Sequence, residues 1–393
     1  MKILHIINYY HEGLGYQENF LPVNQSKMGH KVKIVTSDFY AQFPNYDSTM
    51  KVLLGDRKKG SGLYKDNGIT VIRKSSMFSN SRPGFIYFSV ADVLTEFLPD
   101  IVHVHGVTNF WLMQVVYYQS KYKFKIFIDS HQDYSVENYS ASIPGRLYYY
   151  LWSLCHRWLI KKHIVSQYLP ITQQASEWLI ERLSIPTDIQ KISPLGVDLA
   201  TMFHNPKDEE KLREKWGAEN KLIIVNAGKQ YKEKGICWII DIVALLSKRD
   251  IDVFLVLVGS ADELYNKKID HKLTQLEKDA WIRMPFQRRD ELRKVYSAAD
   301  IGVWPGIPSN TIQEAMACKV AMLLPNNNIV GHLIDGNGFF ISELDELTVN
   351  SMYKIACSKT RLSQMKLKSF DIATKYSWKN ISSDLVEIYK SSK

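Results

Sequence analysis

KLIIVNAGKQYKEKGICWIIDIVALL, residues 221 to 246, decides how this chain is organised. Leu222 to Val225 is a short apolar run rich in β-branched residues, the signature of a buried strand. Gly228 and Gly235 then bracket a loop carrying Lys229 and Lys234, and an apolar helical pattern starts near Ile236. Strand, glycine-bounded loop and helix make half of a β-α-β unit, and the loop after such a strand is where folds of this class receive anions. Two lysines on one short loop can clamp a diphosphate from two sides and neutralise its charge. Loop lysines are commonly no more than solvated cations, so the reading needs support from the rest of the chain.

That support starts with rhythm. VFLVLVGS, AWIRMPF, DIGVWPG and KVAMLLP follow in the second half, each separated by a helical stretch. KILHII, KVKIVTSD, ITVIRKS, DIVHVHG, FKIFIDS and QYLPITQ give the same alternation in the first half. Both halves therefore predict α/β domains with parallel sheets. The polar run NPKDEEKLREKWGAEN interrupts the pattern and places the boundary near residue 200. At 393 residues the chain exceeds the size of a single core, in agreement with two domains. The pattern predicts a first domain over 1–200, a second over 201–370, and a last helix over 371–393 with Ile381, Leu385 and Ile388 on an apolar face.

Bulk composition excludes several classes. Hydrophobic residues at 45% and charged residues at 23% describe a soluble globular chain, neither disordered nor fibrous. No apolar run reaches the ~20 residues of a bilayer span. MKILHIINYY starts as a core strand and lacks the features of a signal peptide, which predicts a cytoplasmic location. Cys155, Cys237, Cys318 and Cys357 are widely spaced and are read as reduced core residues, with neither zinc nor disulfides implied. The net charge of +9 fits a polyanionic partner, and no nucleic-acid recognition module is present. One stretch, PGRLYYYLWSLCHRWLIKKHI over 144 to 164, combines aromatic rings at helical spacing with Arg146, Arg157, Lys161 and Lys162. It reads either as a core helix with a basic outer side or as a surface for anionic lipid.

Two further stretches carry chemistry. In ADIGVWPGIPSNTIQEAMACKVAMLLP, 299 to 325, Ser309, Asn310 and Thr311 sit at a helix N-terminus able to receive phosphate oxygens, and Glu314 lies one turn in, placed for two ribose hydroxyls. In HEGLGYQEN, 11 to 19, Gly13 and Gly15 mark the turn from the first strand into the first helix. A dinucleotide fingerprint there would require glycine at position 18, where the chain has Glu18.

Taken in order, these motifs resemble those of the retaining glycosyltransferases of the GT-B fold, family 4, also called glycosyltransferase group 1. PDIVHVHG resembles the family's aspartate-histidine strand, and SPLGVD its turn at the domain boundary. GKQYKEKG resembles the donor loop, EAMAC the donor helix and IDGNGFFI the late glycine turn. The resemblance implies two Rossmann-like domains facing across a cleft: an N-terminal acceptor domain, a C-terminal donor domain, and a last helix that crosses back. It makes Lys229 and Lys234 the diphosphate clamp and Glu314 the ribose ligand, with Gly13, Gly15, Gly228, Ser309, Asn310 and Thr311 on the donor side. His105 takes the place of the histidine near the reacting sugar, His131 is an acceptor-side residue, and His103 is read as turned to the opposite face, into the core.

The implied reaction moves a sugar from a UDP- or GDP-linked donor to an acceptor hydroxyl, with retention at the anomeric carbon. No metal or other cofactor is expected, since the lysines supply the positive charge and no D-x-D pair is placed to hold a cation. The acceptor is expected to be a lipid-linked oligosaccharide of a bacterial surface polysaccharide such as capsule or O-antigen, reached from the inner face of the membrane. A nucleotide-sugar epimerase of the same fold and a dehydrogenase using HEGLGYQEN with Asp38 are the alternatives. Three departures stand out: Lys229 for a customary arginine, Gly306 where the family's first donor glutamate stands, and Lys319 for the glycine after EAMAC.

Overall fold

The computed structural model describes residues 1–43, 46–49, 51–77, 86–134, 142–306, 309–341 and 346–392. Ile307 and Pro308 of the turn before the 311–317 helix lie outside the described residues. The chain divides into two compact units, Met1–Leu195 with Trp378–Lys393, and Gly196–Ser377.

The first unit is built on β1 (Lys2–Ile7), β2 (Lys31–Ser37), β3 (Gly62–Asp66), β4 (Ile69–Lys74), β5 (Ile101–His105), β6 (Lys125–Ser130) and β7 (Val165–Pro170). Their order in the sheet is β3-β4-β2-β1-β5-β6-β7. All neighbours are parallel except β3 and β4. The glycine at Gly68 and the tight Asp66–Ile69 connection explain that hairpin, which the β-α rhythm did not reveal. The central strands β1 and β5 are buried almost throughout, as strands covered on both faces must be. One face packs Leu4, Ile6, Val102, Val104 and Ile128 against Trp111 and Trp178. The other packs Ile3, Ile34, Ile101 and Phe127 against Trp378, Ile381, Leu385 and Tyr389 of the last helix, Trp378–Ser391.

The second unit has β8 (Leu222–Ala227), β9 (Val253–Val258), β10 (Trp281–Met284), β11 (Ile301–Val303), β12 (Ala321–Pro325) and β13 (Gly338–Ile341). They form a parallel sheet in the order β10-β9-β8-β11-β12-β13. The helix Ile236–Ser247, apolar over most of its surface, covers one face with Ile239, Ile240 and Val243. The cysteines are only partly core: Cys318 is buried, whereas Cys357, at the end of the helix Glu346–Ala356, lies at the surface.

The helix Ile143–Lys161 has two apolar faces, which the sequence pattern alone merged into one. Tyr149, Trp152, His156 and Leu159 are buried against the first unit's core. Ile143, Leu147, Leu151, Leu154 and Trp158 form a second stripe at spacings of three and four residues, exposed to solvent at 83, 56, 56, 41 and 46%.

Candidate active site

In the first unit the site begins where β1 ends. Gly13 and Gly15 both adopt positive φ, 74° and 75°, so the chain turns sharply before the helix Gln17–Lys27. Glu12 anchors that turn: its carboxylate pairs with Arg73 at 2.7 Å and accepts from the hydroxyls of Tyr40 and Tyr64. At the helix start, Asn19 Oδ1 accepts from the Tyr16 amide at 3.0 Å, and Gln17 donates to Asp129 at 3.0 Å.

Asp129, on β6, is the hub. It is 1% exposed and accepts from His103 Nε2 at 3.1 Å, His105 Nδ1 at 2.6 Å and the Gly106 amide at 3.0 Å. Burial alone would raise its pKa, but His105 and His103 outweigh burial and hold it well below the carboxylate range. His103 and His105 stack at 4.5 Å between ring centroids and share that carboxylate. The expectation that His103 faces away is therefore corrected: residues two apart on a strand project to the same side. Burial pushes His103 down to about 4, while Asp129 overcomes burial and raises His105. Glu18, buried one step along the helix and raised to about 7 by burial, adds its field at His105. His131 lies just beyond β6 and is exposed.

His103, His105 and Asp129 are, among the described residues, the set whose potential metal-ligating atoms come within 4.8 Å of one another. Both histidine nitrogens that point at Asp129 converge on one oxygen, Oδ2, which is the geometry of protons shared with a carboxylate.

In the second unit the lysine loop is pinned along its length. Gly228 N donates to Val258 O at 3.0 Å and Gln230 N to Ser260 O at 2.9 Å, and Lys232–Lys234 forms a single 3-10 turn ending in Gly235. Burial lowers the pKa of Lys229; burial and then Lys229 lower that of Lys234 to about 8. Both shifts record the cost of holding a cation away from water. The turn after β11 is tied to the same place, since Trp304 Nε1 and Thr311 Oγ1 donate to Ala227 O at 3.1 and 2.9 Å. Ser309 lies against Gly228, Asn310 is exposed, and Thr311 opens the helix Thr311–Ala317.

Glu314 is paired with Arg289 at 3.2 Å, a partner that sequence reading missed because 25 positions separate the two. Burial raises the Glu314 pKa despite that guanidinium. Gly306 also finds its reason: a Cβ there would meet Glu233 O at 1.9 Å, so the backbone of the lysine loop fills the space of any side chain. Lys319 keeps the backbone of the glycine it replaces, with φ of 62°.

Residues 208–346 match the family described as glycosyl transferases group 1. Over 241 residues the chain is 24% identical to an uncharacterized glycosyltransferase of Methanocaldococcus jannaschii, covering 57% of this chain and 60% of that protein. A second relative, the GDP-mannose-dependent alpha-(1-6)-phosphatidylinositol dimannoside mannosyltransferase of Mycobacterium tuberculosis, is 26% identical over 145 residues, 36% of each chain. The chain thus spans about three-fifths of the length of the first of these relatives and about a third of the second. The crystal structure of Anabaena HepE in complex with UDP aligns over 100% of both chains with a TM-score of 0.71 at 16% identity. The fold is GT-B. Within it, the group 1 match falls on the unit that carries Lys229, Lys234 and Glu314. The first unit is the other half of the GT-B pair, and its last helix arrives from the far end of the chain. No helix of the described residues is long and apolar enough to cross a membrane.

Proposed function

We propose that the chain is a retaining glycosyltransferase that transfers a sugar from a nucleoside-diphosphate sugar to a hydroxyl of a lipid-linked oligosaccharide in assembly of a bacterial surface polysaccharide. The observation that carries the transferase reading is the lysine loop: two cations with lowered pKa, fixed by backbone bonds beside the turn that leads to Glu314. Lys229 and Lys234 neutralise the departing diphosphate, and Glu314, oriented by Arg289, accepts from the ribose hydroxyls. Glu18 and Asp129 bracket His105 at the β5 strand end, where the acceptor side of the reaction belongs. Two similar proteins, one crystallised in complex with UDP and one described as GDP-mannose-dependent, support a nucleotide-sugar donor.

Thermal-shift measurement against a panel of UDP-, GDP- and ADP-sugars tests the donor, because a ligand of the folded state raises its melting temperature by mass action. One nucleotide series is expected to stabilise the protein; no shift with any member at millimolar concentration overturns the reading.

The lipid part rests on the exposed stripe Ile143, Leu147, Leu151, Leu154 and Trp158, flanked by Arg146, Arg157, Lys161 and Lys162. Apolar residues on one face with cations beside them suit an anionic membrane surface and support a peripheral location on its inner face. Co-sedimentation with vesicles containing anionic lipid checks this, and replacement of Leu151 and Trp158 by serine is expected to cut binding about tenfold or more. Equal sedimentation of the variant would remove the membrane from the proposal.

A further inference from the structure

A closed circuit of hydrogen bonds runs through six side chains of the first unit, none more than 7% exposed. From Asp129 Oδ2 it passes to His103 Nε2 at 3.1 Å, and from His103 Nδ1 to the Tyr389 hydroxyl. Gln25 Nε2 donates to that hydroxyl at 3.5 Å, the longest link, while Gln25 Oε1 meets His5 Nε2 at 2.7 Å. His5 Nδ1 faces His105 Nε2 at 3.0 Å, and His105 Nδ1 returns to Asp129 Oδ2 at 2.6 Å.

The member that cannot donate sets the protons of the whole circuit. An ionised carboxylate accepts from both neighbours, so one other member must donate to both of its own. A hydroxyl has a single proton, and a carboxamide offers one donor end and one acceptor end. The double donor is therefore an imidazole protonated on both nitrogens. The groups facing His105 are His5 of β1, Glu18 of the helix Gln17–Lys27, His103 on its own strand, Asp129 of β6 and His131 beyond it. His105 holds the shortest bond to Asp129 and also faces Glu18, whereas His5 touches no carboxylate. Burial lowers His5 well below the ordinary histidine value, in keeping with a neutral ring.

We propose that Tyr389, Gln25 and His5 are positioning residues that hold His105 as a doubly protonated imidazolium, a fixed cation rather than a proton acceptor. The Gln25 carbonyl faces His5 because its amide end is engaged by Tyr389. His5 then donates from Nε2 and accepts at Nδ1, which obliges His105 Nε2 to donate. Removal of the Tyr389 hydroxyl opens the circuit: the Gln25 amide can turn over, His5 can donate from Nδ1, and His105 Nε2 can accept. The protonation of His105 stands apart from the reaction catalysed; only its service as a positive charge in sugar transfer rests on the transferase reading.

Long-range proton–nitrogen correlation spectra of the 15N-labelled full chain test this, with the His105 signals assigned by their loss in His105→Asn. In the wild type at about pH 8, both His105 ring nitrogens are expected to be protonated, while His5 and His103 show single-proton tautomers. Tyr389→Phe is expected to lower the His105 titration midpoint by about one unit or more, and Gln25→Leu reads out the same opening should that variant fail to fold. A neutral His105 ring in the wild type at that pH overturns the proposal, as does an unchanged midpoint in a folded Tyr389→Phe or Gln25→Leu variant. An imidazolium in a protein that transfers no sugar from any donor leaves the circuit standing and removes the transferase reading.

Discussion

At the strand ends of the first unit Asp129 and its histidines neutralise one another, whereas at those of the second unit Lys229 and Lys234 repel. The first arrangement is complete as folded: acceptors and donors are matched and buried, so its charge is fixed by the protein. The second is held by backbone bonds, with cations whose lowered pKa an anion would restore. One region thus has its charge balanced from within, and in the other burial and like charge oppose protonation of Lys234. An internal ion pair makes a rigid reference point; a buried pair of like charges is, on the proposed function, a receptor for the diphosphate.

The largest expected effect breaks the receptor. Lys234→Ala should lower kcat by about 100-fold or more with the fold intact, as loss of a transition-state charge partner does; initial-rate assays against the donor found by thermal shift check this. A variant that keeps full turnover would remove the lysine from the clamp.

Next comes the reference point. Asp129→Asn leaves His105 without its counter-charge and is expected to cost about 3–5 kcal/mol of folding stability, measured by urea unfolding. A loss under about 1 kcal/mol would mean that the cluster is not an ion pair.

pH then separates folding from ligand binding at the lysine loop by sign. Lys234 titrates at about 8 in the folded protein against 10.5 for an ordinary lysine. The unfolded chain binds more protons between those values, so folding stability without ligand rises with pH from about 8 towards 10.5. Nucleoside-diphosphate affinity should run the other way, weakening up to about tenfold per pH unit above about 8, because the anion needs the protonated amine. Calorimetric titration across that range checks the second slope and thermal melting the first; parallel slopes would sink the assignment.

The smallest effect lies just past the C-terminal end of the helix Thr311–Ala317. Lys319→Gly, at a φ of 62°, should stabilise the fold by about 1 kcal/mol, since glycine adopts that conformation without strain. Chemical denaturation would show it.

How far the sequence foretold all this depends on distance along the chain. The parallel strands, the lysine loop and Glu314 were legible because each is a local pattern: an apolar run, a glycine-bounded turn, a helix start. Asp129 and Tyr389 were not, because the histidine cluster joins residues separated by 26 and 286 positions, and no periodicity encodes which strand end meets which. The shared face of His103 and His105 follows from strand alternation, since residues two apart project to the same side. Arg289 carries no signal that marks it as the partner of Glu314, and Gly306 became intelligible only once Glu233 O was seen in the space of a side chain. The exposed stripe on Ile143–Lys161 was hidden for another reason: a helix with apolar residues on two faces looks, in sequence, like one broad core face.

The last helix has a consequence for biosynthesis. Trp378, Ile381, Leu385 and Tyr389 cover a face of the first unit, yet residues 196–377 stand between them and the rest of that unit. A ribosome therefore delivers the sheet β1 to β7 long before the helix that seals it, and the whole second unit is made in the interval. During that time Ile3, Ile34 and Phe127 lack their apolar cover and His103 lacks Tyr389. The histidine cluster is thus completed only after residues 196–377 have been made, and a nascent chain halted before Trp378 would carry a nearly finished sheet without the Tyr389 hydroxyl that His103 bonds.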